Sequence, residues 1–511
     1  MLMPQISPGT LFSKSQQAFQ LTPYHRRAIQ ASRYYDGTAY FPGYGRAFQH
    51  PYTEWDEAAK GPRPIIRPLP SRLVEIGSQF LFSMAPKFVF EDKLKGVDDN
   101  VKSSPLQELL NDILEMNEFS DMLLPEARAA AIDGGTVFKF AWTPQIADRQ
   151  ISIQTVNAHD TTWFRDDLDS SIVNMVRLQF KYVDNDGNYW MYREDWTNTT
   201  YKIYLKLKTT EADDSSIFTQ FVKGEWPSST YVNSMGVIPF TYIYNKKQKG
   251  DTNGFGDYWN LFSLFDNFNH TAWLEHHSNQ QDGDPITAIM NASIDGVLEP
   301  GAVIQLIGEN ANIIRLNAGN GLRDPIRQYK LDARQEIFDA AGYDDIDPAA
   351  ITNKGNLTRA VWEMVYSKTL KTTNEKRKHW GKSGLCRFFG NLLIGLSRLD
   401  DARSIYPALT AVDEKDYHSY TPVVQWPELF QITGEERSAI ISDSLISIEN
   451  GFLPRKRATE AVAAAWGIED TEALLEEVAD VHVQLQNVQD ANAKSTIDLA
   501  NNPPKSVVIG K

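Results

Sequence analysis

The stretch from Gly254 to Trp380 constrains this chain most, because of the order in which its elements follow one another. It opens on Gly254-Phe-Gly-Asp257, a hinge and helix N-cap signal, and runs into YWNLFSLFDNFNHTAWLEHHSNQ. There Tyr258, Leu261, Phe262, Phe265, Phe268 and Ala272 recur at helical spacing. From Asp257 to Gln280 such a helix is on the order of 35 Å long. Its aromatic side is too broad for a lone solvent-facing helix, so it must pack on neighbours, within the chain or in other copies. An apolar, β-branched segment, 285–320, follows and reads as short strands around Glu299-Pro300-Gly301 and Glu309-Asn310. A second helix starts at Asp324-Pro325 and stops at Gly342. Its Asp324, Asp332, Glu336 and Asp339 stand three and four residues from Arg327, Lys330 and Arg334, the pattern of a solvated face with local ion pairs. The loop YDDIDPAAITNKGN then leads into LTRAVWEMVYSKTLKTTNEKRKHW, one long helix with Val361, Trp362, Val365 and Leu370 apolar. Its basic run Lys376-Arg377-Lys378 sits near the C-terminus, where the helix dipole favours cations.

Ahead of this stretch, Pro23 to Tyr35 reads as a short helix stopped by Asp36-Gly37, followed by Pro/Gly/aromatic coil. A capped helix is expected from Ser71, ending at Ala85-Pro86, then the strand KFVFED. A helical pair comes next, started by Ser104-Pro105 and Ser120-Asp121 and closed by Gly134-Gly135. The chain then turns β: TVFKFAWT, RQISIQTVNAHDTTWFRDD, NMVRLQFKYV, NYWMYREDWT, TYKIYLKLK, FTQFVKG and VIPFTYIYN alternate or carry β-branched and aromatic residues. Helices followed by an antiparallel sheet make an α+β unit ending near Asn245. After Trp380 a further apolar helix precedes the strand-like VVQWPELF. Three more helices are marked by Thr433 with Glu436, by Pro454 and by Thr471. Residues 487–511 are polar and aperiodic, and read as a flexible tail.

At 511 residues the chain is long enough for several structural units, and its 42% hydrophobic and 11% aromatic content is that of a folding protein. A net charge of −15 argues against wrapping DNA on a basic surface, yet it permits a wall along which phosphates slide without sticking. One cysteine, Cys386, excludes an intrachain disulfide and a cysteine-based zinc site. Neither a signal-peptide core nor an uninterrupted run of about 18 apolar residues is present, so neither secretion nor membrane spanning is expected.

Motifs that resemble catalytic ones lack essential parts. Gly381-Lys382-Ser383 has Lys376 where a phosphate loop needs its first glycine, and Gly254-x-Gly256 has Trp259 where a dinucleotide loop needs its third. His270, Glu275, His276 and His277 lack zinc-ligand spacing, and His159-Asp160 is a single pair with no partner visible. No catalytic residue, metal or cofactor is expected.

The succession helix, helix, DGGTVFKFAW, VNAHDTTWF, GVIPFTYIYN and a glycine-flanked long helix, then β insert, helix, loop and helix, resembles a tailed-bacteriophage portal protein, or head-to-tail connector. The resemblance implies a ring-forming portal fold of class α+β. Residues 1–256 would be the N-terminal wing, 257–284 the first stem helix, 285–322 the clip and 323–342 the second stem helix. The tunnel loop would be 343–356, the tunnel helix and wing return 357–427, the crown 428–486 and the tail 487–511. It also implies that Phe262, Phe265 and Phe268 pack the stem, and that Glu299, Glu309, Asn310 and Arg315 on the clip meet motor and adaptors. Asp344, Asp345, Asp347, Asn353, Lys354 and Asn356 on the tunnel loop would face DNA. The implied function is a homododecameric channel at one capsid vertex for packaging and ejecting double-stranded DNA. Its implied partners are the terminase large subunit, head–tail adaptors, and major capsid and scaffold proteins; its implied place is the virion, and the host cytoplasm during assembly. Two other classes stay open: another virion component, such as an adaptor or capsid protein, and a hydrolase whose Trp/Tyr-rich strands bind a ligand.

Overall fold

The computed structural model describes residues 23–37, 66–90, 104–146, 150–169, 171–183, 185–186, 189–204, 207–209, 228–247, 253–283, 286–290, 293–295, 305–307, 312–316, 320–346, 359–430, 434–449, 452 and 454–466. It divides into two compact units, one of 1–346 with 366–427, the other of 347–365 with 428–511.

In the first unit, helices α1 (Pro23–Tyr35) and α2 (Leu69–Phe82) precede the short strand β1 (Lys87–Val89). Helix α2 begins two residues before the expected Ser71, on Pro68 and Pro70 and without a side-chain cap. Helix α3 (Pro105–Met116) starts as its sequence requires, Ser104 Oγ accepting from the Gln107 N–H. The start of α4 (Phe119–Asp133) differs from expectation. Its cap residue is Glu118, in the left-handed region at φ 48°, because only two residues separate α3 from α4 and the backbone must reverse there.

Strands β2 (Gly135–Trp142), β3 (Ile151–Asn157) and β10 (Phe240–Tyr244) form one antiparallel sheet in the order β10-β2-β3. A second, antiparallel sheet runs β4 (Thr161–Arg165), β5 (Val173–Val183), β6 (Tyr189–Trp196), β7 (Thr200–Tyr204), β9 (Ser228–Val232), with β8 (Leu207–Thr209) beside β6. Strand β9 was not foreseen; the expected strand FTQFVKG lies outside the described residues. Val137, Phe240, Tyr242, Val176 and Leu178 pack the two sheets together. Lys139 of the first sheet forms a buried ion pair with Glu194 of the second, its ammonium 5.1 Å from the Phe240 ring centroid.

The stretch after Gly254 folds as two long helices, α5 (Phe262–Gly283) and α6 (Asn320–Ala341), around a β arm. The arm nests the ladder β12 (Ser293–Asp295) with β13 (Gln305–Ile307) inside that of β11 (Ile286–Met290) with β14 (Asn312–Leu316). Helix α5 starts five residues later than expected, because Asp257 to Asn260 form a turn. The expected tunnel helix is two helices. Helix α7 (Arg359–Val365) ends before Tyr366, and α8 (Ser367–Trp380) resumes after it. A π-helical turn, Gly381–Leu385, joins α8 to the core helix α9 (Cys386–Ser397), which buries Phe388, Phe389, Leu392, Leu393 and Leu396. A four-residue helix at Tyr417–Tyr420 precedes β15 (Val423–Gln425), which pairs with β1.

In the second unit, helices Gly434–Glu449 and Arg455–Trp466 pack on each other, with the Arg437 guanidinium 5.4 Å from the Trp466 ring. Arg359 pairs with Glu363 at 2.7 Å and with Glu428 at 2.5 Å. The expected capping residue Thr433, the third helix from Thr471 and the tail 487–511 lie outside the described residues.

Candidate functional site

The three aromatic residues that the resemblance assigns to stem packing stand on α5. Phe262, Phe265 and Phe268 are buried at 8%, 2% and 6% exposure, and their cover is their own chain. They lie in a cluster with Ala28, Ala31 and Tyr34 of α1, Leu69, Leu73 and Val74 of α2, and Ala333, Ile337 and Phe338 of α6. Tyr34 stacks on Phe262 at 4.5 Å. Each buried Phe contributes about 1.5–3 kcal/mol without any second copy. The aromatic stripe therefore anchors the base of α5 to α1 and α2, and other copies are not needed to hide it. Among the described residues, the large apolar side chains that α5 and α6 leave exposed are Leu274, Tyr329 and Leu331.

At that base lies a buried polar knot which sequence reasoning missed. Asp257 does not cap a helix. Its carboxylate, fully buried, accepts from Lys376 Nζ at 2.6 Å, Tyr343 OH at 2.7 Å and Asn245 Nδ2 at 2.9 Å, with Lys246 Nζ at 3.3 Å. Lys376 Nζ also reaches Tyr343 OH at 3.0 Å. Four segments thereby converge: the exit of β10, the entry to α5, the exit of α6, and α8. A fifth, α2, passes so close that a Cβ on Gly77 would stand 2.2 Å from Tyr343 OH. Burial works against both charges. The Lys376 and Lys246 ammoniums nonetheless hold Asp257 well below the ordinary carboxylate range, while burial pushes Lys376 down to about 8 against the pull of Asp257. Lys376, read from sequence as part of a basic run near a helix C-terminus, is thus a core residue. A sequence signal existed: Thr369, Thr372, Thr373, Lys376 and Trp380 are spaced at three and four, and all are buried.

The acids at the start of the expected tunnel loop are held by the same unit. Asp344 accepts from the Thr369 N–H and hydroxyl at 3.0 Å each, and its own N–H donates to Thr369 Oγ1 at 2.9 Å. Asp345 pairs with Arg334 at 2.6 Å and approaches Arg72 at 3.5 Å. Both carboxylates are occupied at the loop's base. Asp347, Asn353, Lys354 and Asn356 lie outside the described residues, as do Glu299, Glu309 and Asn310 of the expected clip; Arg315 stands in β14, opposite Thr287 of β11.

The pair His159-Asp160, for which the sequence shows no partner, has one in Asp133. Nδ1 of His159 is 2.8 Å from Asp133 Oδ2 and its Nε2 3.8 Å from Asp160 Oδ1. Burial alone would lower its pKa, but Asp133 and Asp160 raise it to about 9. The folded value lies above the unfolded one, so the contribution is complete below about pH 6.5 and is lost as pH rises through 9. Urea unfolding at pH 6 and pH 9.5 should show wild type losing up to about 3 kcal/mol of this contribution, offset in part by Lys376, whose pKa lowered to about 8 adds stability as pH rises. The H159Q variant should lose much less, and equal losses would remove His159 as the cause.

The phage portal protein family of the SPP1 Gp6-like type matches residues 21–292, more than half of the chain. The chain belongs to that family. The matched span runs from α1 through the two sheets, the knot's Asp257, and α5 into the β arm. No curated protein matches. Among solved structures, the neck of an empty GTA particle computed with C6 symmetry aligns at 12% identity and TM-score 0.39, covering 80% of this chain and 96% of that one. The neck of a native GTA particle computed with C12 symmetry aligns at 11% and 0.38, over 80% and 96%. The virion of a native gene transfer agent particle aligns at 12% and 0.38, over 80% and 97%. Family membership gives the chain a portal, or connector, role, and a portal is structural rather than enzymatic. Among the described residues no group of acids, histidines and cysteine could hold a metal, and no helix is long and apolar enough to cross a membrane.

Proposed function

We propose that this portal chain assembles into a homododecameric ring at one capsid vertex, through whose centre double-stranded DNA is packaged and later ejected. The reading is carried by the family match, which reaches from α1 into the β arm between α5 and α6. In it α5 and α6 are the stem, fixed at one end by the polar knot, and the arm between them is the clip. The clip receives the terminase large subunit during packaging and head–tail adaptors afterwards, while capsid and scaffold proteins meet the wing. The segment after Asp345 is the tunnel loop, with Asp347, Asn353, Lys354 and Asn356 as its DNA-facing residues. The ring forms in the host cytoplasm and ends in the virion.

Native mass measurement tests the ring: a species near twelve times the 57.9 kDa chain, with a central hole in end-on micrographs, is expected. A monomer, or a closed assembly without a hole, would sink the reading, and a monomer with hydrolytic activity would favour the enzyme class instead. The loop is tested separately. Lys354→Ala with Asn356→Ala should leave assembly intact and lower packaged or retained DNA several-fold; undiminished packaging would take both residues out of the channel.

A further inference from the structure

The stretch Ser367–Arg387 carries seven Lys and Arg against the single Glu375, in a chain whose net charge is −15. Three of the seven are used inside the fold: Lys368 pairs with Asp339, Lys376 with Asp257, and Arg377 lies 5.0 Å over Trp426. The other four, Lys371, Lys378, Lys382 and Arg387, are exposed along α8, the π turn and the start of α9, and form no ion pair among the described residues. Exposed Lys247 lies over the Tyr244 ring at 4.9 Å, beside this stripe. Burial first, and then Lys247 and Lys378, lower the pKa of the half-buried His379. The fold thus gathers cations that repel one another, and Glu375 alone does not compensate them.

The opposite charge stands elsewhere on the same unit. Residues 103–127 contain no Lys or Arg, and Asp112, Glu115, Glu118 and Asp121 along α3 and the start of α4 are all exposed. Helix α3 packs on α4 and on the turn Pro407–Ala411, which lies beyond the C-terminal end of α9; the basic stripe lies at the N-terminal end of α9. The buried α9, about 18 Å long, thus stands between the elements that carry the two faces.

We propose that they meet between chains: the basic stripe of α8 docks on the acidic face of α3 in a second copy. Two different faces joined in this way make a head-to-tail contact, the kind that repeats and closes into a ring. This rests on the ring reading and adds which surfaces build it. The second copy is favoured over DNA phosphates because its matching acidic face is on this chain, and because the overall charge works against a polyanion. Salt should weaken the contact, since exposed charges are screened.

The test is a charge exchange. Lys371→Glu, Lys378→Glu and Lys382→Glu together turn the stripe acidic, so that both faces are acidic, and Asp112→Lys, Glu115→Lys and Glu118→Lys together turn the α3 face basic, so that both are basic. Each protein alone should need at least tenfold more concentration, or lower salt, to reach the wild-type mass. Mixed in equal amounts, they should assemble as wild type does, because every contact in an alternating ring is then complementary. All six positions are exposed, so thermal unfolding of each variant should match wild type and report that it folds. Rings from either variant alone at wild-type concentration, or no rescue on mixing, would overturn the proposal while leaving the portal reading intact. Unchanged rings with weakened binding of a short DNA duplex by the lysine variant would assign the stripe to phosphates and likewise overturn it. Failure of wild type itself to form a ring would remove the portal reading instead.

Discussion

Replacing Lys376 with Met should destabilise the first unit by about 3–5 kcal/mol, read as a fall in its urea unfolding midpoint. Met keeps most of the stem's volume, so the loss is electrostatic rather than a cavity. It strands the Asp257 carboxylate at 0% side-chain exposure with Tyr343, Asn245 and a more distant Lys246 as its remaining partners. Removing both charges, as Asp257→Asn with Lys376→Met, should cost less than the sum of the single changes, because neither variant group then leaves an unpaired ion. Simple additivity would show that the pair is not coupled as its 2.6 Å separation implies. The same change should loosen α8 from the base of α5 before it loosens the sheets. Hydrogen exchange that rises in Ser367–Trp380 and around Tyr343 ahead of β2 is the expected signature.

The second large effect is at Gly254. Its φ of 79° is a left-handed conformation, and a Cβ there would stand 2.2 Å from the Gly134 carbonyl oxygen. Gly134 has φ 86° and in turn has the Gly254 backbone 3.1 Å from its own missing Cβ. Neither strand end can withdraw: the Asn245 N–H donates to the Gly134 oxygen, and the Asp257 N–H to the Ala131 oxygen. Gly254→Ala should therefore cost about 3 kcal/mol or more, summing backbone strain and overpacking. It should also displace Asp257 from the knot. Full stability in this variant would mean that the crossing of the two segments is slack.

Much of the architecture could be read from the residues, and the failures have physical causes. Helix α1, the Ser104 cap, the Gly134 stop and most sheet strands follow from local rules, because side-chain period, caps and left-handed glycines act within a few residues. Helix α4 opened away from its Ser120-Asp121 signal because the reversal after α3 placed Glu118 in the cap position. The single long helix expected after the loop divided at Tyr366, where no Pro or Gly gave warning.

The functional residues show the same division more sharply. Spacing alone found the aromatic face of α5, yet it could not say what covers it; only the folded chain showed that α1 and α2 do. Asp257 and Lys376 are 119 residues apart, and each had an adequate local explanation, as a cap and as part of a basic run. Their ion pair exists because the β arm returns α6, and then α8, to where α5 began. The sequence by itself determined the order of the elements, and with it the family, since order and periodicity are local properties of the chain. Tertiary structure decided which charges are buried and which face solvent, because that depends on what packs over each residue, and no window of neighbouring residues contains it.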